Sequence, residues 1–421
     1  MNNSSPPESI DTGAGKGKMG TDRLIGWVFI AAILLLPVLP HFSPLNPYGA
    51  YTAYHNGTLM IMSGEDPYPS RLWMDLPAFA IQDRFPYSPT FAFFFYPFAL
   101  FNNAAGVFAW MFLGAVFFWH GVAFALSKME GEALVRGKWL FLGAVMMFNE
   151  TLKSIACLQV NALILGMVLM GVGLFFSRRY VGAAFLLALA TNFKIYPVAI
   201  ALLIMVSLDW RFIGWYLAFL GGAFALPLLV FEPSFYRELL RSWWITISHN
   251  TLSPERYLSL EPSLHFFGVG VSGRLFSVFT LANALAIAVA ARFVFLRDRN
   301  AFIGIVMPIA LGFVWLFNNR ADNATVVAAL PAFVFMLHAF LDARRRGESG
   351  VARFHLVSML AAWWLLSLSY SDLTPKPIRH IAHDYRFMFW GVLAMYFWAW
   401  ANAIIFARSA RAGKAVAPAA R

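Results

Sequence analysis

A chain of 421 residues with 60% hydrophobic and only 13% charged side chains is not a soluble globular protein, where about a quarter of residues are charged, so most of its surface must face lipid. The formal net charge of +11 does not by itself point to nucleic acid, because the basic residues fall mainly in short loops and near the C-terminus, as membrane orientation requires. A lone cysteine, Cys157, excludes an intramolecular disulfide framework and a cysteine-rich metal site.

Residues 1–23 are polar, with Gly, Ser and Pro, and read as a disordered cytoplasmic tail. The apolar run Leu24–Pro40 has no small-residue cleavage pattern after it and is expected to be a retained first membrane helix. The segment His41–Pro86 is too rich in Pro, Asp, Arg and Tyr to lie in hydrocarbon. Within this first outer loop, 41–86, short amphipathic helices at Tyr51–Ser63 and Leu72–Asp83 are expected to rest on the bilayer surface.

Apolar segments follow at Tyr87–Phe101, Ala104–Ser127, Trp139–Ile155 and Leu158–Ser177. Val181–Leu208 is interrupted by "NFKIYP", a Lys and a Pro inside an apolar run, which predicts two half-length helices or one broken helix. Further spans are Phe212–Phe231, Leu275–Leu296, Ala301–Phe317, Val326–Leu341, Phe354–Tyr370 and Phe387–Phe406. The reading is an all-α polytopic bundle: one transmembrane domain over 24–406, ten to twelve helices in number, with a basic cytoplasmic tail at 407–421. No internal repeat is evident.

Basic clusters at Arg211, Arg297 with Arg299, Arg344–Arg346 and Arg408–Lys414 set the cytoplasmic side by the positive-inside rule, and both termini fall there. Lys128–Lys138 and Arg178 with Arg179 also read as cytoplasmic. That requires Tyr87–Phe101, shorter than the ~20 residues of a full span, to dip in and return.

The outward segments carry polar groups that are expensive near lipid. They include His55, Asp66, Glu150, Lys153, Lys194, His249, Arg320 and Asp322. A membrane-embedded cation beside a carboxylate fits transfer of a group from a lipid phosphate, because the cation can grip the phosphate while the carboxylate takes a proton. Plainer readings exist for each group. Asp322 near Arg320 can be a structural ion pair, Gln159 and Asn161 can bond across helices, and Lys194 can snorkel. "DPYP" is first of all a turn, and the Asp372–Asp384 segment reads as a solvated loop. His380 and His383 alone are weak evidence for a metal, and "FFGVGVSG" reads as a helix start, not a dinucleotide site.

Several strings together resemble glycosyltransferase family 87, a group of GT-C-type membrane enzymes. They are "SGEDPY" at Ser63–Tyr68, "YSPTFAFFFYPFALF" at Tyr87–Phe101, "LQVNALIL" at Leu158–Leu165 and "KIYP" at Lys194–Pro197. "LLRSWW" from Leu239 and "FNNRADNATVVAALPA" at Phe317–Ala332 complete the order. The resemblance implies an inverting transferase whose site faces the periplasm or cell exterior of the cytoplasmic membrane. Its donor would be a polyprenyl-phosphate hexose, most often mannose, and its acceptor a glycolipid, a growing glycan or a cell-envelope polymer. It implies no nucleotide sugar at the site, no cofactor and no metal. Lys194, Arg320, Lys153 and His249 would hold the donor phosphate, and Tyr54, Tyr68, Tyr87, Gln159 and Asn161 would bind sugar or acceptor. The family usually places an Asp at the start of the first outer loop; the corresponding place falls near Ala50, where there is no acid. Glu150, Asp66, Asp322 and His55 are the substitutes for the base, Glu150 and Asp66 foremost. A lipid-linked sugar transporter or flippase, or a non-catalytic family member, is the alternative.

Overall fold

The computed structural model describes residues 13–35, 49–68, 85–101, 103–129, 136–248, 257–318 and 321–411. The described residues form helices and no strands. In chain order these are α1 (Gly13–Leu35), α2 (Gly49–Met62), α3 (Pro89–Ala99), α4 (Asn103–Leu126), α5 (Lys138–Ala156) and α6 (Asn161–Phe176). There follow α7 (Tyr180–Phe193), α8 (Pro197–Met205), α9 (Trp210–Ala225), α10 (Pro233–Ser248), α11 (Leu260–Phe266) and α12 (Gly273–Arg297). The last are α13 (Phe302–Leu316), α14 (Pro331–Arg345), α15 (Ser349–Leu366), α16 (Lys376–Asp384) and α17 (Phe387–Arg411). Seven stretches among them are long and apolar enough to cross a membrane, from Ala104–Leu126 to Phe387–Ser409.

Paired contacts give the helices their directions. Asp22 accepts a hydrogen bond from the Gly137 N–H and Phe29 meets Phe148, so α1 and α5 run parallel. Trp110 donates to the Leu158 carbonyl, Gly121 packs on Gly166 and Phe124 on Gly173, so α4 and α6 are parallel too. A Cβ on Gly166 would run into the backbone of Phe117, so the two helices approach as closely as they do because glycine is there. Gly143 and Trp139 of α5 meet Val334 and Phe340 of α14, which makes that pair antiparallel. His355 with Trp398 and Leu366 with Gly391 do the same for α15 and α17.

These directions sort the turns between two ends of the bundle. Arg178, Arg179, Arg211, Arg299 and Arg344 to Arg346 gather at one, the basic end, where Arg299 donates to the Phe175 carbonyl and stacks on Phe175 and Phe176. Tyr87, Leu158 to Asn161, Lys194, Asp322 and the 367–386 segment gather at the other, the aromatic end. The short α3 does not cross. Its 11 residues reach roughly 17 Å, against ~30 Å of hydrocarbon. It lies along α2, tied by the Tyr51 hydroxyl to the Phe98 carbonyl. The basic turns on either side of α4, α5 and α6 therefore fall into a consistent order.

Five sequence expectations change. The first helix starts at Gly13, inside the stretch read as a disordered tail, and the terminal basic tail is helical as far as Arg411. The α2 helix does not simply rest on a bilayer: Tyr51 and Tyr54 are buried against α3 and α4, and Ile61 is buried as well. An amphipathic pattern records an apolar face without recording whether lipid or protein covers it. The Asp372–Asp384 loop folds into α16, with Pro377 in its first turn and Ala382 as its buried residue. The start of the Val326–Leu341 span is a 3-10 turn, Asn323–Ala329, that leads into α14 at Pro331. The second interfacial helix expected at Leu72–Asp83, and residues 36–48, fall outside the described residues. "NFKIYP" is a helix break: α7 stops at Phe193 and α8 starts at Pro197, whose missing N–H suits a first turn.

Candidate functional site

The break between α7 and α8 leaves Lys194 in an extended conformation, with φ −145° and ψ 149°, so its side chain leaves the helix axis. Its ammonium donates to the Asn161 Oδ1 over 2.8 Å and lies 5.8 Å from the centre of the Tyr87 ring. Asn161 opens α6, is fully buried, and donates from its amide nitrogen to the Ala324 carbonyl over 3.3 Å. One side chain thus ties the cation to the turn that carries Asp322.

Asp322 caps that 3-10 turn. Its Oδ1 accepts from the Thr325 N–H over 2.8 Å, and its own N–H donates to the Thr325 hydroxyl over 2.8 Å. This reciprocal box fixes the carboxylate, as at the start of an α-helix. Asp322 acts electrostatically on Lys194, Tyr54, Tyr87 and Cys157 without pairing directly with the lysine. Cys157, in the turn between α5 and α6, is within electrostatic range of Lys153 as well.

Aromatic side chains wall one side of this cluster. The Tyr54 and Tyr87 hydroxyls bond at 2.9 Å, and the Tyr68 hydroxyl donates to the Tyr87 carbonyl over 2.5 Å. Tyr54 meets Tyr87, Phe91, Phe95 and Trp110 edge to face. Burial holds the Tyr87 phenol well above its ordinary pKa, and burial followed by the nearby Asp66 does the same for Tyr68. Both remain neutral hydrogen-bonding groups at any physiological pH. Ser88 donates to the Asn192 carbonyl over 2.9 Å and Trp243 of α10 to the Pro86 carbonyl over 3.1 Å, which ties α10 and α7 to the same loop.

A second polar cluster lies on α5. Glu150 is 1% exposed, and its Oε1 accepts from Lys153 Nζ over 2.9 Å and from Asn149 over 2.7 Å. Its Oε2 is buried with no hydrogen-bond partner. Lys153 also reaches the Tyr370 carbonyl at 3.5 Å, and the His383 ring stands edge-on to Tyr370 at 4.8 Å.

The fold brings Lys194, Asn161, Tyr87, Tyr54 and Asp322 together, and sets Glu150 with Lys153 beside them. Gln159 is in the α5–α6 turn itself, its N–H bonded to the Ser154 carbonyl. Asp66 is engaged locally, accepting from the Tyr68 N–H over 2.8 Å, as the "DPYP" turn predicts. His55 has Tyr51 and Asn56 as its neighbours on α2. Arg320 and His249 lie outside the described residues. Sequence reading passed over Asn149, Thr325, Tyr370 and Trp243. Of these, only Thr325 carried a signal, the Asp-x-x-Thr spacing of a capping box.

The family model described as glycosyltransferase family 87 matches residues 85–337, more than half of the chain. That stretch contains Tyr87, Glu150, Asn161, Lys194 and Asp322. No curated protein matches the chain significantly.

Proposed function

The chain belongs to glycosyltransferase family 87, and on that premise we propose that it moves a hexose, mannose foremost, from a polyprenyl-phosphate sugar to a glycolipid or glycan acceptor. The reaction would occur at the aromatic end of the bundle, on the outer face of the cytoplasmic membrane. The observation that carries this reading is Lys194, held at a helix break beside Asn161 and within electrostatic range of Asp322.

In the proposed step the acceptor hydroxyl oxygen attacks the anomeric carbon as the bond from that carbon to the phosphate oxygen breaks. The polyprenyl phosphate leaves with the bonding electrons, and the hydroxyl proton passes to a carboxylate. Lys194 stabilises the negative charge that grows on the leaving phosphate. Arg320, two residues before Asp322, and His249 are assigned to the same phosphate, with Lys153 flanking it. Asp322 is the favoured base, because its cap fixes the carboxylate within electrostatic range of the lysine. Asn161 positions the ammonium, Gln159 addresses sugar hydroxyls, and Tyr87, held from behind by the buried Tyr54 and Tyr68, is the aromatic side chain assigned to the sugar. A second reading gives the base to Glu150, supported by its buried, unpartnered Oε2.

The test uses the purified protein in lipid nanodiscs with polyprenyl-phosphate mannose and candidate lipid acceptors. Transfer is expected to fall by about 100-fold or more in Lys194→Ala. Undiminished transfer in that variant, or movement of a labelled lipid-linked sugar across a bilayer with no transfer chemistry, overturns the reading.

A further inference from the structure

At the basic end, remote from the cluster around Lys194, a cavity of about 270 Å³ is lined by Arg178, Arg179, Tyr180, Arg211 and Trp215, with Val181 and Gly182. We propose that this cavity binds the phosphate group of an anionic membrane lipid.

Three arginines, all of them exposed, line one small space, and none of the three forms an ion pair with a described residue. Asp209, two residues before Arg211, pairs with none of them. Like charges held together without a counter-charge repel one another, and a bound anion relieves that repulsion. Arginine presents a planar fork of donors that matches phosphate oxygens.

The backbone contributes in the same sense. Tyr180, Val181 and Gly182 are the first turn of α7, and the residue at its N-cap, Arg179, supplies no side-chain acceptor. The first N–H groups of a 14-residue helix therefore add partial positive charge to the cavity wall. Arg178 adopts φ +59°, a left-handed conformation that favours glycine.

The surroundings argue for a lipid over a soluble phosphate. Trp210 and Trp215 are 74% and 47% exposed, and Val181 and Phe185 are exposed on the adjoining face of α7. Exposed tryptophans beside basic residues mark the headgroup level of a bilayer, and basic pockets between membrane helices suit acidic headgroups. An acyl chain can run along Val181 and Phe185 while the phosphate enters the cavity.

The experiment is native mass spectrometry of the full chain released from nanodiscs that contain equal phosphatidylglycerol and phosphatidylcholine. A parallel arm compares heat stability in detergent with inorganic phosphate alone and with phosphatidylglycerol alone. Retention of phosphatidylglycerol over phosphatidylcholine is expected, and it should fall roughly fivefold for each arginine removed in Arg179→Gln and Arg211→Gln. Arg178→Gly is the variant that guards against misfolding, since glycine suits φ +59°; it should lose phosphatidylglycerol without losing heat stability. Equal retention of the two lipids, or unchanged preference in Arg178→Gly combined with Arg211→Gln, overturns the proposal. Stabilisation by inorganic phosphate equal to that by phosphatidylglycerol identifies a soluble anion as the occupant and overturns it as well.

Discussion

The Lys194 ammonium and the Asn161 side-chain carbonyl are 2.8 Å apart, although one residue sits in the break after α7, the other opens α6, and 33 positions separate them in the chain. Because Asn161 also holds the Ala324 carbonyl, the break after α7 and the turn that carries Asp322 are joined through one buried amide. A phosphate that approaches Lys194 meets a cation already aimed, not one that must be ordered on binding.

Asn161→Leu is therefore expected to lower kcat more than it changes KM. The lysine keeps its charge but loses the acceptor that directs it. A loss of about tenfold to 100-fold is expected, smaller than that of Lys194→Ala. Steady-state transfer rates over a range of donor concentrations check this; an effect confined to KM would mean that Asn161 contacts the donor in its ground state instead.

The sequence announced some of this site and concealed the rest. Lys194 stood out because a cation next to a proline interrupts an apolar run, with snorkelling as its plainer explanation. Glu150 and Lys153, read separately as base and phosphate ligand, pair with each other because they are three residues apart on one helix face. The bond from Lys153 to the Tyr370 carbonyl, 217 positions away, was not legible, because it depends on how α5 packs against the end of α15. The burial of α2 was hidden too. The same stripe of Tyr51, Tyr54 and Ile61 would serve against lipid or against Phe95 and Trp110.

Close packing of α4 on α6 gives a stability prediction. Gly166→Ala places a methyl group against the Phe117 carbonyl, where only backbone movement can make room. A loss of roughly 1–3 kcal/mol is expected. Gly114→Ala on α4 is the control: the nearest atom to its new Cβ is 4.0 Å away, and alanine favours the helix. Thermal unfolding of both variants in the same detergent checks the difference in sign.

His383 gives a pH dependence. Burial and then the nearby Lys153 charge push its pKa below the ordinary 6.5, with Asp384 opposing them. The unfolded chain therefore binds a proton more readily than the folded one. Stability is highest above the ordinary value and is lost as pH falls through 6.5 towards the folded pKa. Because the burial of the His383 ring is only partial and the residue as a whole is exposed, the change is modest. Melting temperatures should rise from about pH 5 to about pH 7, and the part due to this group should vanish in His383→Gln. A slope that survives the substitution intact would assign it to other groups.

The identity of the base separates the two carboxylates. Asn is as good an N-cap as Asp, so Asp322→Asn keeps the turn over Asn323–Ala329 while removing the negative charge beside Lys194. If Asp322 takes the acceptor proton, transfer drops about 100-fold to 10,000-fold with little change in melting temperature. Glu150→Gln acts differently. Its carboxylate holds Lys153 and Asn149, and the loss of that buried charge leaves both donors facing a weaker acceptor. Glu150→Gln should thus lower stability while transfer measured on the folded protein falls less than about tenfold. A Glu150→Gln enzyme that folds normally but transfers nothing, beside an active Asp322→Asn, would reverse the assignment and make the unpartnered Glu150 Oε2 the proton acceptor.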